Sequence, residues 1–245
     1  MLDAAGVFLA ALLTALATGL GALPLLVRRR VDATGVGLAT AVAAGFMLGA
    51  SLGLFWTGAA DGLLRTVVGA ILGAGFIVVT RWRLGLRHDV HFGALQGPDA
   101  MGALMIVGVM TFHSFTEGVG VGVSFGGGET LGVLITLAIA VHNIPEGLTI
   151  SLVIVPRGIS VGRAAAWSVF SSLPQPLMAL PAFLLVEWFE PVLPIGLGFA
   201  SGAMVWMVTA QLLPDALRTA GPRGVAAATV GVAGLMVALQ VALLG

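Results

Sequence analysis

Two histidine–glutamate pairs stand in the most apolar part of the chain. His113 precedes Glu117 by four residues, and His142 precedes Glu146 by the same spacing. Because an α-helix turns about 100° per residue, side chains four positions apart share one face. Two imidazoles and two carboxylates that project from neighbouring helices form a ligand set suited to a divalent transition metal. The sequence therefore predicts a metal site with these four side chains as ligands.

The composition is that of an integral membrane protein. Only 9% of the 245 residues are charged and the mean hydropathy is +1.08, whereas a soluble domain carries roughly a quarter of charged residues. The chain has no cysteine, so any metal must be held by nitrogen and oxygen ligands. The net charge of zero leaves no basic surface for nucleic acid.

Eight apolar stretches each approach the roughly 20 residues that cross a bilayer. We expect them at about 4–27, 35–57, 62–80, 101–124, 130–154, 164–186, 193–214 and 224–244. They predict an all-α integral membrane protein with eight transmembrane helices, which form a single transmembrane transporter domain over residues 1–245. The longest predicted connection is a loop at about 81–100.

The basic residues test this topology independently. With eight spans, ten of the eleven Lys and Arg residues fall on one side of the membrane, and Arg65 alone falls on the other. Because basic loops stay in the cytoplasm, that side is predicted to be cytoplasmic. Both termini are then expected outside, and the loop at about 81–100 is expected in the cytoplasm.

The depth of the two pairs favours an ion pathway over a structural role. His113 and His142 each lie about 12 residues into antiparallel spans 4 and 5, so the pairs reach the same mid-membrane level. Ionisable groups at this depth are costly and normally mark an ion path or relay. Imidazoles and carboxylates without thiolates can bind and release Zn(II), Fe(II), Mn(II) or Cd(II). These observations predict a carrier that moves divalent transition-metal ions inward through this site.

The same residues carry a resemblance to a known family. The motifs His-x-x-x-Glu-Gly at 113–118 and His-Asn-Ile-Pro-Glu-Gly at 142–147, with eight spans and outward termini, resemble the ZIP (Zrt/Irt-like) metal-ion transporters, particularly the bacterial branch. The resemblance implies a 3+2+3 arrangement, in which spans 1–3 and 6–8 are inverted repeats around spans 4 and 5. It also implies alternating access, zinc as the favoured substrate, an elevator motion, a homodimer and a bacterial-type cytoplasmic (inner) membrane. No prosthetic group is expected, because the metal ion is the substrate.

The resemblance implies a second metal position, from which this sequence departs. Ser114 and Thr116 replace the family's usual Asn and Pro in span 4, and Gln175 stands where span 6 usually offers a glutamate. Asn143 and a shared Glu146 remain as ligands there. Because a neutral amide is a weaker ligand for a divalent ion than a carboxylate, the sequence predicts one strong site rather than two.

Further expectations concern the path of the ion. By the same resemblance Met47 could be an entrance ligand, although methionine in an apolar span also serves packing alone. Gln211 and Asp215 at the end of span 7 could receive the exiting ion, or Asp215 could mark the membrane boundary. His88 and His91 could catch metal loosely in the cytoplasm, or could be ordinary residues of a solvated loop.

Two other functions would use the same four ligands. One is a membrane metal sensor that does not transport, which the altered second position keeps open. The other is an intramembrane metal-dependent hydrolase, which needs an open metal position and a nearby general base. The sequence has no His-Glu-x-x-His motif, and both carboxylates of the pairs are already used as ligands. We therefore do not expect an enzyme.

Overall fold

The chain is described by a computed structural model that covers residues 3–27, 32–85, 97–188 and 190–244. Within these ranges the protein forms ten α-helices and no β-strand, which confirms the predicted all-α class. The helices are α1 (Ala4–Leu20), α2 (Pro24–Val27), α3 (Ala33–Gly85), α4 (Gly97–Gly126), α5 (Glu129–Ile154), α6 (Val161–Ser172), α7 (Pro174–Trp188), α8 (Leu193–Met207), α9 (Leu213–Thr219) and α10 (Pro222–Leu244).

The helices are those of a multi-pass membrane protein. In the described part of the chain, six helical stretches are long and apolar enough to cross a membrane. They are Ala4–Val27, Ala33–Thr80, Glu129–Arg157, Val161–Val186, Leu193–Thr219 and Pro222–Ala242. The second stretch has 48 residues, more than twice the roughly 20 that one crossing needs. Its backbone leaves helical geometry at Gly62, where φ is 169° and ψ is 86°.

The helices on either side of the predicted loop at about 81–100 are longer than expected. Helix α3 continues to Gly85 and α4 already begins at Gly97. Arg83 in the last turn of α3 helps to explain the extension, because a cation there interacts favourably with the helix dipole. His88 and His91, the residues that could catch metal loosely, lie outside the described residues.

Proline divides the helical stretch that contains Gln175. Helix α6 ends at Ser172 and α7 begins at Pro174. Pro174 lacks a backbone N–H and therefore cannot continue the hydrogen-bond ladder of α6, although it fits the first turn of a new helix. The break places Gln175 in the first turn of α7, where its side chain is fully buried.

Side-chain hydrogen bonds place eight of the ten described helices in two groups. Seven of them join helices within the first group, which consists of α1, α4, α5, α6 and α7. Two more join α3 to α8 and α3 to α10, which form the second group. The largest apolar cluster draws residues from both groups, including Met47 of α3, Ile135 of α5 and Met204 of α8. Side-chain hydrogen bonds thus hold each group together, and apolar packing contributes to the contact between the two.

Candidate metal centre

The four predicted ligands converge at one point between α4 and α5. One ligand atom of each residue lies within 4.8 Å of those of the other three. Oε1 of Glu117 is central, since it lies 3.4 Å from Nε2 of His113 and 3.4 Å from Nε2 of His142. Oε2 of Glu146 lies 3.8 Å from Nε2 of His142. The spacing of four residues places each pair on one helix face, and the packing of α4 against α5 brings the two pairs together.

The central atoms are buried and lack hydrogen-bond partners in the described part of the chain. The four side chains are at most 5% exposed. In the described residues no hydrogen-bond partner is found for either nitrogen of the two imidazoles, for Oε1 of Glu117 or for either oxygen of Glu146. Buried polar atoms without a partner are rare, because they lose hydration without compensation. A cation bound between the side chains would satisfy both Nε2 atoms, Oε1 of Glu117 and one oxygen of Glu146 together.

The separations also fit a metal ion. Nitrogen and oxygen ligands lie about 2.0–2.2 Å from zinc, so two ligands of a tetrahedral ion stand about 3.4 Å apart. Both imidazole nitrogens lie at 3.4 Å from Oε1 of Glu117. The donor set of two imidazoles and two carboxylates is therefore placed at distances that one divalent transition-metal ion can bridge.

A narrow cavity reaches the ligands from one side. Three ligands line it, namely His113, His142 and Glu146. Its walls also include Thr40 of α3, Met110 of α4, Thr149 of α5 and Met207 at the end of α8. Three of the four candidate ligands therefore border open space and not only packed side chains.

The cavity ends beside an irregular turn of helix. Residues Val208–Leu212, between α8 and α9, form a π-helical turn, and Leu212 lines the cavity. Such turns are rare and occur frequently at functional sites. Gln211, a predicted exit ligand, lies in this turn, and its side-chain oxygen is buried with no partner among the described atoms.

Met47, Asp215 and Ser114, the other predicted path residues in the described part of the chain, do not line the cavity. Met47 is buried in the apolar core, which agrees with a packing role. Asp215 lies on α9 and pairs with Arg218 at 3.4 Å, with both side chains exposed, as expected at a membrane boundary. Ser114 is buried next to His113, and within the described residues its hydroxyl has no hydrogen-bond partner.

The sequence did not predict the network of hydrogen bonds that reaches Glu117. Gln175 Nε2 donates a hydrogen bond to Oε2 of Glu117 at 2.7 Å. Gln175 Oε1 accepts hydrogen bonds from Asn143 Nδ2 at 3.1 Å and from the Thr14 hydroxyl at 2.6 Å. Sequence reasoning missed Thr14 altogether. The available signal was two threonines one turn apart, Thr14 and Thr18, in an otherwise apolar helix.

Several known proteins are similar to this chain. The family model "ZIP Zinc transporter" matches residues 90–240. The chain is 35% identical over 229 residues to the zinc transporter GufA of Myxococcus xanthus, a match that covers 85% of this chain and 87% of that protein. It is 32% identical over 220 residues to the zinc transporter ZIPB of Bordetella bronchiseptica, covering 82% of this chain and 70% of that protein.

A longer plant protein is also similar. The chain is 48% identical over 225 residues to a protein of Arabidopsis thaliana named for zinc transport. The match covers 90% of this chain but only 36% of the plant protein. The chain therefore spans little more than a third of that relative's length.

The fold and the four converging ligands define a helical membrane protein built around a candidate intramembrane metal centre. The family match covers more than half of the chain, and a bacterial relative is 35% identical along most of its length. The chain belongs to the ZIP family of zinc transporters. The family resemblance seen in the two His-x-x-x-Glu-Gly motifs is thus confirmed.

Proposed function

We propose that the protein carries divalent transition-metal ions, zinc above all and also iron, manganese or cadmium, into the cytoplasm by alternating access. The observation that carries this proposal is the convergence on α4 and α5 of four buried ligands whose facing atoms have no hydrogen-bond partner among the described residues. Relatives of the same family are named as zinc transporters. The protein is accordingly a transporter rather than an enzyme, and the ion is its substrate.

The proposed topology has eight membrane crossings. The 53-residue helix α3 supplies two of them if the chain turns at Gly62. The others are α1 with α2, α4, α5, α6 with α7, α8 with α9, and α10. This gives three crossings on each side of α4 and α5, as the 3+2+3 inverted-repeat arrangement requires. The basic loops then put both termini outside a cytoplasmic (inner) membrane.

The position of the cavity supports release of the ion towards the cytoplasm in this proposal. Thr40 lies near the start of α3, Met110 precedes His113 in α4, and Thr149 follows Glu146 in α5. With the proposed topology, all three wall residues lie between the metal centre and the cytoplasmic ends of their helices. The cavity would therefore be the exit route of a carrier that faces the cytoplasm.

The two helix groups support an elevator motion. The first group, α1 and α4–α7, carries all four ligands and is held together by side-chain hydrogen bonds. Its contact with α3 and α8 includes apolar residues of the largest cluster. Apolar surfaces have no directional bonds to break when they slide. In this proposal the first group moves against the second, which forms the homodimer.

Uptake into sealed vesicles tests the proposed function. Purified protein reconstituted into liposomes should accumulate zinc down a gradient, whereas protein-free liposomes should not. His142→Ala should abolish uptake while expression and dimerisation survive, which a non-transporting sensor would not show. Cleavage of a lipid or peptide without any ion flux would instead support the hydrolase.

We also expect one bound ion per chain rather than two. Gln175 presents its amide nitrogen to Glu117 at 2.7 Å, and an amide N–H cannot ligate a cation. Anomalous scattering from zinc-soaked crystals, or metal analysis of purified protein, should give a stoichiometry of one. Two equally occupied ions about 4 Å apart, the usual spacing of a bridged pair, would contradict this prediction.

A further inference from the structure

A chain of hydrogen bonds leads from the backbone of α1 to the metal centre. It begins at the carbonyl oxygen of Thr14, which can only accept, so the Asn143 atom 2.7 Å away must be the amide nitrogen. The same nitrogen also donates to Gln175 Oε1 at 3.1 Å. The amide nitrogen of Gln175 is thereby turned towards Glu117 and donates to its Oε2 at 2.7 Å. The first bond thus fixes the direction of the two that follow.

The chain is shielded from water along its whole length. Thr14, Asn143, Gln175 and Glu117 are all 0% exposed. The Thr14 hydroxyl lies 2.6 Å from Gln175 Oε1 and 2.7 Å from the carbonyl oxygen of Ala11. Both neighbours are acceptors, so they compete for its one hydrogen. The Asn143 amide nitrogen has two hydrogens, one for the Thr14 carbonyl oxygen and one for Gln175 Oε1. Hydrogen bonds in such a low-dielectric interior are stronger than bonds at the surface.

We infer that Gln175 is a positioning residue, which Asn143 holds in place and which turns Glu117 so that only Oε1 faces the imidazoles. Oε1 is the oxygen that lies 3.4 Å from both Nε2 atoms, whereas Oε2 is occupied by the Gln175 amide. The inference rests on the proposed function, because that function makes Glu117 a ligand of the transported ion.

The same inference gives Asn143 a role different from that of a ligand. Its amide nitrogen is occupied by Thr14 and Gln175, and its Oδ1 lies 3.4 Å from Gln175 Nε2. Oδ1 is the one atom of Asn143 that could ligate a cation, and it accepts from Gln175 Nε2. In this inference Asn143 supports Glu117 through Gln175 instead of binding the ion. Residues that orient a metal ligand in this way typically contribute a factor of about 10–100 to metal affinity.

The substitution Gln175→Met tests the inference, because it keeps the length of the buried side chain and removes the amide. We expect zinc affinity, measured by calorimetric titration of the detergent-purified protein, to fall about 10- to 100-fold. Cobalt(II) serves as a spectroscopic probe of the ligand set. Its visible bands should weaken in the variant, because a freed Oε2 of Glu117 lets the carboxylate bind through both oxygens and raises the coordination number.

A double-mutant cycle separates positioning from ligation. If Asn143 acts through Gln175, then Asn143→Leu combined with Gln175→Met should bind zinc no more weakly than Gln175→Met alone. If Asn143 is itself a ligand, the two losses add and the inference is overturned. Thr18→Val is the matched control, because Thr18 lies one turn from Thr14 and its hydroxyl contacts Ser172 instead of Gln175. It should bind zinc as the unmodified protein does.

The outcomes also distinguish this inference from the proposed function. Loss of zinc binding in Glu117→Gln together with unchanged affinity in Gln175→Met would overturn the positioning role alone. Unchanged zinc binding in Glu117→Gln would instead remove the metal centre and the transport proposal with it. Equal losses of zinc affinity in Gln175→Met and Thr18→Val would show that both substitutions act by disturbing the packing of α1. That result would also overturn the inference.

Discussion

Glu117→Gln is expected to abolish zinc binding and zinc uptake. Oε1 of Glu117 is the atom that both imidazoles face at 3.4 Å. The substitution keeps the size of the side chain but removes the negative charge that would balance the cation in a buried site. Because loss of a supporting residue already weakens metal binding about 10- to 100-fold, loss of a central ligand should weaken it at least about 100-fold. Calorimetric titration and uptake of radioactive zinc into proteoliposomes measure the two effects.

Glu129→Gln is the matched control for this prediction. Glu129 is the first residue of α5, and its side chain is exposed. The same chemical change at that position leaves the four converging ligands intact, so zinc affinity and uptake should stay within about twofold of the unmodified protein. If Glu117→Gln bound zinc as tightly as Glu129→Gln, the central role of Glu117 would be refuted.

Gly147→Ala should strongly destabilise the protein, although it adds only one methyl group. Helix α1 crosses α5 at this glycine, and an added Cβ would overlap the carbonyl oxygen of Thr18. That oxygen belongs to the backbone, so no side-chain rotation can relieve the overlap and α1 must move away. Overpacking of this kind typically costs about 1–3 kcal/mol, and each kcal/mol lowers the melting temperature of a chain of this size by about 2–4 °C.

The displacement of α1 should also reach the metal centre. Gly147 directly follows Glu146, and α1 carries Thr14, on whose carbonyl oxygen the hydrogen-bond chain to Glu117 begins. We therefore expect a lower melting temperature in detergent and weaker zinc binding in the same variant. Gly231→Ala is the control, because in the described structure no atom lies within 4 Å of the added Cβ. Its melting temperature should stay the same or rise, since alanine favours a helix.

The overall class and the candidate ligands could be predicted because both depend on local sequence. The length of an apolar stretch decides whether it can cross a membrane, and the spacing of four residues decides that His113 and Glu117 share a helix face. Helix ends were less predictable. Residues up to Gly85 and from Gly97 lie in helices although they were expected in a loop, because a helix can continue beyond the bilayer when its polar residues are solvated.

The sequence by itself determined which four side chains could hold an ion, since residue type and spacing within two consecutive helices can be taken directly from it. Only the tertiary structure decided how Glu117 is held, because Thr14, Asn143 and Gln175 lie on three helices that are distant along the chain. Their hydrogen bonds depend on the close packing of α1 against α5 and of α4 against α7, where Gly147 and Gly118 allow contact with the neighbouring backbone. The helical period shows which residues share a face, whereas tertiary packing decides which other helix that face contacts.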